Sequence, residues 1–185
     1  MENNPIWYIP GWTYIRWAIY PTNKHDTCGY TAACLLLNYY NNLPGPLQGK
    51  MIPKEFFGPN GKLKTTGYTL QDKLIQYTSV SKSWAWSVAK VLNLYFKEYE
   101  IPAKAHFSFF RLGALRKVKC GTPVILFGNL PDGETRLNHA VTAFGLKKEE
   151  GLFPNFVVHY GWRGKGFCVL KDAIIGSYCY IKGKG

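Results

Sequence analysis

The chain changes its hydrophobic periodicity at Gly121, and this change limits the possible fold more than any other feature. Before Gly121, apolar residues recur at helical spacing in several segments. After it, short segments rich in β-branched and aromatic residues alternate with turns. Helices first and strands second are typical of an α+β fold. We therefore expect one domain over residues 1–185, with a mainly helical lobe over 1–120, an antiparallel sheet lobe over 121–185, and a cleft between the lobes.

The segment "NKHDTCGYTAACLLLNYYNN" contains the first candidate for chemistry. A polar, turn-prone stretch passes into an apolar run, which predicts a helix from about Cys28 to Asn41 with Asp26 or Thr27 as its N-cap. The expected buried stripe comprises Ala33, Leu36, Leu37 and Tyr40. Cys28 begins this helix. A helix N-terminus and a neighbouring imidazolium both favour the thiolate form of a cysteine, whereas a buried cysteine alone is usually inert.

Two of the four histidines, His139 and His159, lie on neighbouring predicted strands. A hairpin turn centred between positions 149 and 151 sets residue 139 opposite residues 159–163. Side chains that face each other across such a pair are about 5 Å apart. His139 is therefore expected near His159, Trp162 or both. This arrangement suits a general base that has a polar orienting group and an aromatic shield beside it.

Two segments outside these elements have a different character. Residues 1–22 are aromatic and interrupted by proline, which predicts an extended arm packed on the body. Residues 43–69 are rich in proline and glycine, which predicts a long surface excursion.

The net charge of +12 favours anionic partners, although the charges are spread along the chain, as on an ordinary basic surface. The densest run, "RLGALRKVK" over 111–119, has helical spacing and predicts one solvated basic helix face. No nucleic-acid signature is present, and the five cysteines include no CxxC pair. We expect no disulfide framework, metal or cofactor, no nucleic-acid partner, and a monomer.

No apolar run is long enough to cross a membrane, and the N-terminal sequence has no signal-peptide pattern. A cytosolic protein and the mature form of a secreted one both fit, and the secreted form is favoured.

Four segments in this order, "DTCGYTAACLLLNYY", "LRKVKCGTPVILFG", "NHAVTAFGL" and "VVHYGWRGKGF", resemble the bacterial papain-like cysteine peptidases. The resemblance is to the streptopain type and to the peptidases that trim bacteriocin leaders. It covers residues from about Asp26 to Phe167 and implies a papain-like fold. It also implies that Cys28 is the nucleophile and His139 the general base.

The family's third residue is usually Asn or Asp, and it opens a stretch like "NWGWGG". The stretch "HYGWRG" aligns with it, which implies that His159 takes the third place and Trp162 the aromatic one. A neutral His159 can accept a hydrogen bond from His139. The family often supplies an oxyanion-hole Gln before the cysteine, but residues 1–47 contain none. The Asn23 amide and the Cys28 backbone N–H are the expected donors instead.

Three functions follow from these features. The first is a cysteine peptidase that cleaves a peptide or protein substrate through a Cys–His thioester intermediate. The second is a cell-wall peptide amidase with a Cys–His–His site, whose basic surface would bind an anionic wall polymer. The third is a catalytically impaired papain-like binding protein, suggested by the missing Gln and the substituted third residue.

Overall fold

The computed structural model describes residues 5–21, 26–78, 84–132, 134–149 and 151–184. Its elements, in chain order, are β1 Ile6–Tyr8, α1 Thr13–Arg16, α2 Cys28–Asn42, a 3₁₀ helix Lys54–Phe56, α3 Leu70–Gln76, α4 Ala85–Glu98, β2 Ala103–Phe109, α5 Arg111–Lys119, β3 Val124–Asp132, β4 Thr135–Lys147, β5 Asn155–His159, β6 Cys168–Leu170 and β7 Ile174–Gly183.

The seven strands form one antiparallel sheet in the order β2-β7-β3-β4-β5-β6, and β1 pairs with β4. The short segments after Gly121 form strands β3 to β7 as predicted, so the mixed helix and antiparallel-sheet fold is confirmed. The sheet also takes two strands from residues 1–120, because β1 and β2 complete its hydrogen bonding. The sheet is thus not confined to residues 121–185.

Helix α2 begins at Cys28 as predicted and ends one residue later than predicted, at Asn42. Thr27 occupies the N-cap position. The predicted buried stripe is too narrow, because every residue from Gly29 to Leu37 is buried. The helix contacts the sheet through β3 and β4 and is also in contact with α1, α3 and α4, so it has no broad solvent face. It is the central helix of the fold.

The expectation of a surface excursion over residues 43–69 is wrong for its apolar side chains. Those buried in the core are Leu47, Met51, Ile52, Phe56 and Leu63. The Asn41 side-chain oxygen accepts hydrogen bonds from the backbone N–H groups of Met51 and Ile52, at 3.1 and 3.2 Å. The segment is therefore fastened to the end of α2. In the N-terminal arm, β1 is extended as predicted, but residues 13–16 form a short helix.

The sheet has a core on each side. Ala140 of β4 packs in one core with α2 and α4, and its neighbour Val141 packs in the other with α5. This alternation is the period-2 pattern of a strand buried on both faces.

The helix predicted over 111–119 is α5, whose Arg116 and Lys119 are exposed. Within the described residues, no helix is both long and apolar enough to cross a membrane.

We expect Gly128→Ala to destabilise the fold by about 3 kcal/mol, because a Cβ at this position would lie 1.9 Å from the backbone oxygen of Ile174. Gly176 is the matched control, since the nearest atom to its added Cβ is 4.0 Å away. Gly176→Ala should cost less than about 1 kcal/mol. Urea denaturation measures both values. Equal losses would contradict the close approach of β3 and β7.

Candidate active site

Cys28 and His139 line the same cavity, which has a volume of about 210 Å³. Cys28 is the first residue of α2 and is partly exposed, and His139 lies on β4. Trp84 and Phe127 supply apolar wall, and Ser177 of β7 also lines the cavity. The structure thus brings together a thiol at a helix N-terminus and an imidazole, two groups that the sequence separates widely.

The ring of His139 is held by a hydrogen bond and by aromatic contacts. Its Nε2 lies 3.0 Å from the backbone carbonyl oxygen of Tyr160. A carbonyl oxygen can only accept a hydrogen bond, so Nε2 carries the proton and the neutral ring has its lone pair on Nδ1. The Trp162 ring lies 4.6 Å from the His139 ring, which is one of the two contacts expected from the predicted hairpin register.

His139 is neutral near pH 7. Burial lowers its pKa below the ordinary value of 6.5, and this effect exceeds the others. The hydrogen bond to Tyr160 and the negative charge of Asp132 act in the opposite direction, whereas Lys165 adds to the lowering. A neutral imidazole is the form that can accept a proton from a thiol.

The Tyr160 carbonyl is held in place by a compact turn. The Tyr160 backbone N–H donates to the Lys165 carbonyl at 3.0 Å, and the Lys165 N–H donates to the Trp162 carbonyl at 3.1 Å. The Tyr160 hydroxyl donates to the carbonyl of Pro131. The Lys165 ammonium pairs with Asp132 and lies 4.8 Å from the Trp162 ring centroid. Side chains from β3 and the turn therefore fix the position of the acceptor for His139.

His159 takes a different place from the one expected. Its Nδ1 accepts a hydrogen bond from the Gly161 backbone N–H at 2.9 Å, and its ring lies edge-on to Tyr20 at 4.9 Å. In the sheet it stands opposite Thr142, three residues along β4 from His139. The acceptor for His139 is thus the Tyr160 carbonyl and not the His159 ring. Burial lowers the pKa of His159 to about 4, so this ring is also neutral.

The other candidates are placed as follows. Asn23, the expected oxyanion donor, lies outside the described residues. Cys34 and Cys179 are fully buried, and burial raises the pKa of both thiols far above the ordinary range. Cys120 is exposed and Cys168 partly exposed, and neither lines the cavity. The described residues include no cluster of three potential metal ligands.

Gln71 was not found by sequence reasoning. It is fully buried on α3, and its Nε2 donates hydrogen bonds to the hydroxyl oxygens of Thr31 and Thr27 at 2.6 and 3.3 Å. Thr27 precedes Cys28, and Thr31 lies on the next turn of α2. Gln71 therefore positions the start of the helix that carries the thiol. The sequence places it 43 residues after the cysteine in a short helix, where nothing indicates this contact.

Comparison with solved structures places this fold beside that of a protein from Bacillus anthracis described as a candidate C39-like peptidase. The superposition has a TM-score of 0.50 at 12% sequence identity and covers 95% of this chain and 98% of the other. The likeness shows a shared mixed helix and antiparallel-sheet fold. No family model matches the sequence, and no curated protein matches it.

The low pKa of His159 predicts a loss of stability in acid. An unfolded histidine titrates near 6.5, so the unfolded state binds more protons as the pH falls. Above about pH 6.5, neutral His159 makes its full contribution to the free energy of unfolding. This contribution is lost as the pH falls toward the folded-state pKa of about 4. Between pH 7 and pH 4 we expect the wild-type free energy of unfolding to fall by about 3 kcal/mol more than that of His159→Gln.

Urea denaturation at a series of pH values measures this difference. His159→Gln is the informative variant because its side chain can still accept a hydrogen bond but does not titrate. Stability curves of the two proteins that stay parallel from pH 7 to pH 4 would show that His159 is not held neutral by burial.

Proposed function

We propose that this protein is a cysteine peptidase in which Cys28 is the nucleophile and His139 the general base. One observation carries the proposal. A thiol at the N-terminus of α2 and a neutral imidazole with its lone pair on Nδ1 line one cavity. A thiol and a base within hydrogen-bond reach of each other are what activates a sulfur nucleophile, and the shared cavity supports this pairing. The fold shared with a candidate C39-like peptidase supports the same class of reaction.

The proposed reaction is acyl transfer in two steps. His139 Nδ1 takes the proton from the Cys28 thiol, and the thiolate attacks the carbonyl carbon of the substrate peptide bond. The imidazolium then gives that proton to the leaving amine, so the C–N bond breaks and a thioester remains. Water attacks the thioester with His139 again accepting a proton, which returns to the thiolate as the carboxylic acid leaves.

Two features of the main chain assist these steps. The Tyr160 carbonyl accepts a hydrogen bond from Nε2 throughout the cycle. This bond keeps the lone pair on Nδ1, the atom that exchanges the proton with Cys28. It orients the ring as a side-chain carboxylate would, but it carries no full charge and stabilises the imidazolium less. The N-terminus of α2 provides a positive potential for the oxyanion of the tetrahedral intermediate. Asn23 remains the proposed side-chain donor to that oxygen.

The cavity favours an apolar side chain of the substrate beside the scissile bond. Trp84 and Phe127 line it, and its volume of about 210 Å³ accommodates a residue of moderate size. The amidase alternative depended on a Cys–His–His arrangement in which His159 orients His139. Because the Tyr160 carbonyl occupies Nε2 of His139, that motivation is removed.

Alkylation by iodoacetamide tests the Cys28–His139 pair. Because neutral His139 takes the thiol proton, we expect fast labelling of Cys28 at about pH 6.5. In His139→Ala, labelling should become fast only toward about pH 8.5, as for an isolated thiol. Mass spectrometry reads each site, and the exposed Cys120 is an internal control in both proteins. Identical labelling of Cys28 and Cys120 in both proteins would contradict the proposed activation and favour a non-catalytic role.

Turnover of quenched peptides with apolar residues tests the reaction itself. We expect Cys28→Ser to abolish cleavage and His139→Gln to lower kcat/KM by at least about 10³-fold. His159→Gln should stay within about tenfold of wild type, because its ring does not bond to His139. The acid limb of wild-type kcat/KM should follow an ionisation below 6.5, the direction given for the pKa of His139. A fully active Cys28→Ser protein would sink the proposal.

A further inference from the structure

A cluster of positive charge, here called the basic face, lies on strands β2 and β7 and helix α5. Its positive charges are those of Lys104, Lys117 and Lys182, which surround the rings of His106 and Tyr180. None of these residues lines the cavity that holds Cys28. The proposed peptidase chemistry therefore gives no reason for their arrangement.

The two strands place like charges directly against each other. Lys104 is the ladder partner of Lys182, and both side chains are exposed. A like-charged pair in this position destabilises an antiparallel sheet. His106 and Tyr180 form the next pair on the same face, with their rings stacked at 5.2 Å. The strands thus present two lysines beside a stacked pair of rings.

Helix α5 adds a third lysine to this cluster. The Lys117 ammonium lies 4.1 Å from the centroid of the Tyr180 ring. Burial lowers the pKa of His106, and the charges of Lys104, Lys117 and Lys182 lower it further, in keeping with their positions around this ring. No ion pair between described residues includes any of these lysines. The positive charge of the face is thus left for an external anion.

The surroundings of the face narrow the kind of anion. Tyr180 is engaged by Lys117 and His106, so its ring does not offer a free platform for a nucleobase. The exposed Phe107 and Phe109 lie on the opposite face of β2, because side chains alternate along a strand. The residues of the basic face themselves include no apolar side chain of the kind that inserts into a lipid surface, although Phe110 and Leu112 are exposed at the start of α5. Ammonium groups remain, and these bind phosphate oxygens as point charges.

We propose that the basic face binds a linear phosphodiester polymer without bases, of the poly(glycerol phosphate) type. The ammonium groups of Lys104, Lys117 and Lys182 contact successive phosphates, and the uncompensated repulsion between Lys104 and Lys182 is relieved when the polymer binds. This binding does not involve the Cys28 thiol, so it can be tested independently of the peptidase proposal.

Fluorescence anisotropy with labelled poly(glycerol phosphate) of about ten units tests this binding. The full-length chain is used both as wild type and as Cys28→Ser, so that activity has no influence. Three phosphate contacts predict that the affinity falls about 20-fold between about 50 and about 200 mM salt. Absence of binding at the lower salt concentration would overturn the proposal.

Lys182→Glu is the decisive variant. It should lower the affinity at least about tenfold and raise the thermal midpoint, because the introduced carboxylate would face the Lys104 ammonium across the ladder as an opposite charge. Lys62→Glu is the matched control. It changes the net charge by the same amount at an exposed position outside the basic face, and it should bind like wild type. Because both variants lower the net charge of +12 equally, a gain in stability and a loss of binding found only in Lys182→Glu would assign both effects to the ladder pair.

Three outcomes would refute this assignment. Equal weakening by Lys62→Glu and Lys182→Glu would show attraction by net charge alone. Tighter binding to single-stranded DNA of equal length would show a nucleic-acid surface. Binding to vesicles of anionic phospholipid, with none to the free polymer, would show a membrane surface.

Discussion

The burial of helix α2 is the constraint on which the rest of the structure depends. The helix is enclosed by the sheet and by other helices, and the Thr142 hydroxyl of β4 donates to the carbonyl of Ala32 at 3.3 Å. Such an enclosed helix cannot shift along its axis without breaking contacts on every side. Its first residue, Cys28, is therefore fixed relative to β4, which carries His139. The buried Gln71 secures the same end from α3.

The second feature of the site is that a main-chain carbonyl, that of Tyr160, orients the ring of His139. The Tyr160 oxygen can only accept a hydrogen bond, so it selects the tautomer of His139 with the proton on Nε2. No charged side chain is needed for this. The turn that holds this carbonyl depends on the Lys165–Asp132 pair and on His159, whose Nδ1 accepts from Gly161. His139 and His159 are both buried and neutral in this arrangement. The molecule is consequently expected to lose stability in acid, where both would have to be charged.

The two proposed sites differ in whether their side chains have the partners that hydrogen bonding and charge pairing favour. At the cavity, the buried ring of His139 is hydrogen-bonded to the Tyr160 carbonyl, so its orientation is well determined. On the basic face, Lys104 and Lys182 oppose each other in a ladder position that favours opposite charges. Uncompensated repulsion of this kind has no structural benefit. In the proposed complex an anionic partner relieves this repulsion, and the net charge of +12 suits a partner of that sign.

The sequence by itself determined part of the fold, without α1 or the places of β1 and β2 in the sheet, and it indicated the two residues that matter most for the proposed chemistry. The periods gave α2 from Cys28 and the five later strands, and the hairpin register brought Trp162 to His139. Only the tertiary structure decided the partner of His139, because every residue has a carbonyl and no letter of the sequence marks which one accepts. The burial of residues 43–69 and the contacts of Gln71 were likewise undetectable, since they join segments whose proximity the fold alone creates.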